Sequence, residues 1–177
     1  MIPEWLQLPL PILTFFLGFF ASRLTLTKGE KVKIEQDYFK NSQELKNGHD
    51  THRDTYEKAI SKYAGSVEEP TFDHFADILI TGDRYLASIN NIAEAVRSGK
   101  INREMASGTF IPLVCRATKK TIPDHYSTLQ HISTKKGFQY SGKLDRSLYR
   151  ACFAVLEKHG EIAGEPGSIL ADELKNL

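Results

Sequence analysis

The run from Trp5 to Ser22 contains 18 residues and no charge, and it constrains this chain more than any other stretch. As a helix rising about 1.5 Å per residue it would span roughly 27 Å, close to the hydrocarbon thickness of a bilayer. Phe15, Phe16, Leu17, Phe19 and Phe20 fall all around such a helix and leave it no polar face, unlike an amphipathic helix capping a soluble core. A cleavable signal would carry positive charge before the apolar run, yet Glu4 precedes this one and Arg23 follows it. The expectation is a permanent single-pass transmembrane anchor, residues 1–27. Arg23, Lys28, Lys31 and Lys33 just after it place the remaining chain in the cytoplasm and the N-terminus outside, at the inner membrane. Thr14, Gly18 and Ser22 recur every four residues as a small-residue strip through which two such helices can pack, so a homo-oligomer is expected.

The residues after position 27 suffice for one compact domain with a core. Cys115 and Cys152, both in apolar surroundings, read as buried thiols in a reducing compartment. The net charge of +1 conceals a strong asymmetry. Residues 30–96 hold eight Lys/Arg against 13 Asp/Glu, residues 97–153 hold 11 against three, and residues 154–177 hold two against five. The central segment therefore attracts phosphates or anionic head groups, to the extent that its flanks leave its charge uncancelled.

No sustained alternation of period two occurs, so the fold class is mainly α: the anchor, a polar helical stalk over 28–64, and a compact cytosolic helical domain over 65–177. In the stalk Tyr38, Ser42, Leu45, His49, His52, Tyr56, Ala59 and Tyr63 follow spacings of four and three, a polar seam, with a break allowed at Gly48. Thr71 is the expected cap of a helix ending at Gly99, whose apolar face is Phe72, Phe75, Ala76, Leu79, Leu86, Ile89, Ala93 and Val96, with a kink at Gly82. Gly108 and Pro112 are expected to divide or bend the next helical stretch. Thr121, Pro123 and Asp124 start another helix, stopped by Gly137. A further helix begins near Asp145, buries Leu148, Cys152, Phe153, Val155 and Leu156, and ends at Gly160, before a short terminal helix around 169–174.

The clearest chemical constellation is "STKKGFQYSGKLDRSLYR", Ser133 to Arg150. Lys135, Lys136, Lys143, Arg146 and Arg150 can neutralise phosphate, its glycines let backbone N–H groups approach an anion, and Phe138 and Tyr140 offer faces for stacking. Arg116, Lys119 and Lys120 extend this candidate ligand-binding set. The same residues also fit a solvated loop whose aromatic rings plug into the core. "HDTHRD", His49 to Asp54, sets two imidazoles on one side of a helix, but two histidines do not complete a metal site, and a polar seam sensitive to pH is the simpler role. His125 and His131, six apart, suggest no shared site.

Phosphate-loop, dinucleotide and nucleophile-elbow motifs are all missing, so the sequence reads as non-enzymatic and assigns neither metal nor cofactor. Two functions fit. One is a membrane-anchored sensor or effector that binds an anionic, nucleotide-like ligand and transmits the event to an oligomeric anchor. The alternative is a membrane-tethered adaptor or scaffold that binds a protein partner at the inner membrane, its basic segment touching anionic lipid. In layout, "LPLPILTFFLGFFASRL" followed by a helical domain with the basic "TKKGFQYSGKLDR" loop resembles the small bacterial membrane effectors of type III CRISPR immunity. That resemblance is architectural and transfers no binding residue. It implies a role in antiviral defence, a cyclic oligoadenylate as the ligand, and an oligomer that disturbs the membrane when the signal binds.

Overall fold

The computed structural model describes residues 28–65 and 70–160. Among them the chain is helical throughout its regular structure, with no strand and no helix long and apolar enough to cross a membrane. The expected anchor, with Thr14, Gly18 and Ser22, lies outside the described residues, as does the short terminal helix. Two compact units divide the chain after Tyr38. The described part of the first is the opening of helix α1 (Lys28–Ala64), exposed except for the half-buried Ile34 and Tyr38. The second unit, from Phe39, contains everything that follows.

In this second unit α1 continues through Gly48 without a break, because nothing approaches that glycine and its cost of about 1 kcal/mol is absorbed by a long helix. Its buried residues are Ser42, His49 and Tyr56, all members of the polar seam. From Ser42 onward, the seam expected for a stalk over 28–64 packs inside the same unit as the later helices. The attachments include hydrogen bonds: Asn41 donates to the Lys100 carbonyl (2.9 Å), and the Asn102 N–H donates to Ser42 Oγ (3.0 Å).

Helix α2 (Phe72–Ser98) starts at Thr71 in extended conformation and stops at Gly99, whose left-handed φ of 67° favours glycine. It buries Phe75, Ile78, Gly82, Leu86, Ile89, Ile92 and Ala93. The expected face is thus turned slightly. Ile78 and Ile92 are inside, while Phe72 is 55% exposed and lies edge-on to Phe138. At Gly82 the helix continues and is closely approached, since a Cβ there would overlap the imidazole of His125. Gly82 makes room for a neighbour.

A third helical path runs unbroken over residues 103–136. It comprises α3 (Arg103–Met105), a first π turn (Ala106–Phe110), α4 (Ile111–Arg116), a second π turn (Ala117–Thr121) and α5 (Ile122–Lys136). Gly108 and Pro112 mark a π turn and not a break, and α5 starts after Thr121 as expected but without a side-chain cap, since every junction keeps right-handed helical backbone. The prolines explain how. Pro112 and Pro123 have no N–H to give the carbonyls of Gly108 and Lys119, and their rings would collide with those carbonyls in a regular helix. In each case the preceding residue bonds one position further back, Ile111 to the Ala106 carbonyl and Ile122 to the Ala117 carbonyl. The helix widens by one residue and survives. Gly137 then ends it with φ 71°.

Asp145 caps the 3-10 turn Arg146–Tyr149 by accepting from the Ser147 N–H (2.8 Å), and α6 (Arg150–His159) follows. The tighter turn places Leu148 at the surface, 61% exposed, and gives its expected core position to Tyr149. Helix α6 packs against α2 and α4 and contributes Ala151, Cys152 and Val155 to a core built on Leu86, Ile89, Phe110, Val114 and Ile122. A second cluster joins Tyr56 to Phe75, Ile78, Leu129 and Ile132. Both cysteines are buried and free.

Candidate functional site

The aromatic rings of the basic loop turn toward the core. Phe138 and Tyr140 meet on Phe75, with ring centroids 5.3 and 5.7 Å from it, and pack against the second core cluster. The Gly142 carbonyl accepts from Gln130 Nε2 (3.1 Å), and Gly142 lies so close to the Tyr140 ring that a Cβ there would overlap it. The loop is thereby folded onto α5. Arg146 is held over the Phe153 ring at 4.4 Å. Lys135 and Lys136 occupy the last turn of α5, where positive charge suits the helix C-terminus. Lys143 and Arg150 are exposed.

Arg116 leads elsewhere. It borders a cleft of about 440 Å³, a size suited to a small molecule, between α1, α2 and the proline-bulged helix. From α1 come His49 and Arg53; from α2 comes Tyr85. The third wall is Gly108, Thr109, Pro112, Leu113, Arg116, Ala117 and Thr121, so both π turns face it. Lys119 and Lys120 belong to the second of these turns. Of the ten ligand-binding candidates, three therefore sit on the segment that walls the cleft, and Arg116 itself lines it.

The two arginines differ. Arg53 lies 3.7, 3.3 and 3.6 Å from Asp50, Asp54 and Glu57 on its own helix. Arg116 is exposed and makes no ion pair among the described residues. His49 is buried, with Nδ1 3.4 Å from Ser88 Oγ. The Ser88 hydroxyl donates to the Tyr85 carbonyl (2.6 Å), so its oxygen accepts from His49. Burial, helped by Arg53, Lys46 and His52 and opposed by Asp50, holds the His49 imidazole below its ordinary pKa. Its partner in the pair three residues apart, His52, is only half-buried, and no cluster of three metal-binding side chains forms among the described residues.

Behind the cleft a polar spine continues. Tyr85 lies 5.3 Å from His49 and stacks on Tyr56 at 5.6 Å. Tyr56 Oη is 2.8 Å from His125 Nδ1. Burial pushes the Tyr56 phenol up to about 12, so it keeps its proton, and it donates it in the imidazole tautomer that Asp83, beside Nε2, favours. The imidazole hydrogen then sits on Nε2, which is buried without a hydrogen-bond partner among the described residues and lies 3.8 Å from Asp83 Oδ1. Burial also lowers the His125 pKa, with Asp83 opposing. Sequence spacing gave His125 no role. The one available signal was Gly82 inside an otherwise amphipathic helix, a vacancy that a large partner had to fill.

No protein-family model, curated protein or solved structure matches this chain.

Proposed function

We propose that this chain is a membrane-anchored, non-enzymatic sensor or effector whose helical body binds a small anionic, nucleotide-like ligand in the cleft between α1, α2 and the proline-bulged helix. The observation that carries the reading is the composition of that cleft. An uncommitted arginine, a second arginine on α1 and the hydroxyls of Thr109 and Thr121 border a space of small-molecule size, on the wall that belongs to the basic central segment. Because α1 supplies one wall, a ligand filling the cleft bears on the helix whose sequence leads back to the apolar N-terminal run. In this reading an oligomer at the inner membrane, packed through Thr14, Gly18 and Ser22, receives the signal. A cyclic nucleotide in antiviral defence is one such ligand.

The test is thermal melting of the full-length protein in detergent with linear and cyclic adenylates, sulfate and anionic lipid vesicles. Binding to the folded state alone raises stability by RT ln(1 + [L]/Kd), so a nucleotide that raises the melting temperature supports the sensor. Arg116→Glu is expected to abolish that rise, whereas Lys143→Glu, on the loop folded onto α5, is expected to preserve it. A response to vesicles alone would favour the membrane-tethered adaptor with a protein partner. An Arg116→Glu protein that responds like the parent would remove the cleft from the proposal.

A further inference from the structure

We infer that the cleft takes the phosphate group of its ligand between Arg116 and Arg53, and that His49, in its wall, takes up a proton from solvent when that anion is seated. The inference rests on the sensor reading and adds to it the ligand's charged group and a proton. No covalent bond changes; one proton moves from bulk water to an imidazole nitrogen.

The geometry of His49 is the starting point. It is 3% exposed, its Nδ1 is engaged by Ser88, and its second ring nitrogen has no hydrogen-bond partner among the described residues. An imidazole nitrogen that no protein group engages, on a residue lining the cleft, is available to a ligand seated there. The charged and titratable groups around it come from all three walls. On α1 these are Lys46, Asp50, His52 and Arg53; on α2, Tyr85; on the proline-bulged helix, Arg116. Asp50 is the acidic one among them, and it is already engaged by Lys46 at 2.8 Å. Without a ligand, burial and the neighbouring cations keep His49 neutral. A phosphate reverses that balance, because an anion within a few ångströms favours the charged imidazole. The two charged oxygens of a phosphodiester, each able to accept more than one hydrogen bond, can be shared by Arg116, Arg53 and His49, and sulfate offers further oxygens. Arg53 can turn from its carboxylates to the ligand, since those pairs are exposed and of low energy.

The experiment is isothermal titration calorimetry of the full-length protein in detergent, with 3′,5′-cyclic AMP and with inorganic sulfate. Neither probe changes its charge near neutral pH, so any proton taken up belongs to the protein. Repeating each titration in buffers of different ionisation enthalpy is expected to reveal uptake approaching one proton per bound probe. Affinity should fall by up to about tenfold per pH unit above neutrality. His49→Gln is expected to bind with no proton uptake, and His52→Gln to behave like the parent. Binding heats that do not vary with buffer would overturn the proton coupling while leaving the sensor reading intact, and this arm needs no variant that folds. Proton uptake that survives in His49→Gln, or is lost in His52→Gln, would overturn the assignment to His49. Absence of binding by both probes would remove the sensor reading, and this inference with it.

Discussion

Helices α1 and α2, the two longest α-helices among the described residues, are held in opposite ways. Helix α2 buries six apolar side chains and a glycine, whereas α1 buries a serine, a histidine and a tyrosine. Each large apolar side chain on α2 contributes about 1.5–3 kcal/mol by leaving water. The hydrogen bonds along α1 contribute about 0.5–1.5 kcal/mol each. The fold therefore rests on α2, and α1, whose apolar share is Tyr56 with the partly buried Leu45, Ala59 and Tyr63, is held by contacts that are weaker and in part directional and titratable. A helix attached in this way can be loosened or tightened without unfolding its neighbours.

The largest expected effect tests the apolar half of this contrast. Leu86→Ala removes a fully buried side chain from the centre of the main core and should cost about 2–5 kcal/mol, read from the midpoint of urea denaturation. A loss below about 1 kcal/mol would mean that α2 is not the foundation described here. Gly82→Ala comes next. In an open helix this change stabilises by about 1 kcal/mol, but here the new methyl meets the His125 ring, so a net loss of about 1–3 kcal/mol is expected. The discriminating measurement is the double-mutant cycle. In a His125→Ala background the same substitution should become neutral or stabilising, because the obstacle is gone.

On the polar side, Tyr56→Phe leaves His125 Nδ1 buried without its donor and should cost about 1 kcal/mol. Hydrogen exchange locates the damage. Amides of α1 from residue 39 onward should exchange faster while those of α2 stay protected, because local opening draws on the weaker attachment first. Equal acceleration in both helices would merge them into one cooperative unit and remove the contrast.

How far these features could be read in the sequence depends on their range. The seam of α1, the caps at Thr71, Gly99, Gly137 and Asp145, and the helical class all follow from periodicities and from residues acting on their immediate neighbours. Pro112 and Pro123 marked the junctions but not their form, for a physical reason. Proline excludes a regular hydrogen bond, yet whether the chain breaks or widens into a π turn is decided by how both flanks pack, which is tertiary information. The binding set was legible only in part. Arg116, Lys119 and Lys120 stand out by charge, but Tyr85, Thr109 and Thr121 become neighbours of Arg53 only when three helices assemble. Phe138 and Tyr140 present the same pattern whether they stack on a ligand or on Phe75, and the fold supplies Phe75.

The smallest and most gradual effect is that of pH, and it bears most directly on how α1 is held. Burial lowers the pKa of both His49 and His125 from the ordinary 6.5. As pH falls below 6.5, the unfolded chain gains protons that these two folded imidazoles resist, so the unfolded state binds more protons and stability decreases. Above 6.5 both states are neutral at these positions and the contribution is complete; it is lost as pH falls through the lower folded values. Urea midpoints measured from about pH 8 to about pH 5 should therefore hold level and then decline, with a shallower decline in the His49→Gln, His125→Gln double variant. Hydrogen exchange along the same series separates two origins. If α1 amides lose protection at a higher pH than those of α2, the histidines act on the polar fastening itself. If both lose protection together, protonation is felt by the whole fold, because His125 is also seated against Gly82 of α2 and faces Asp83 there.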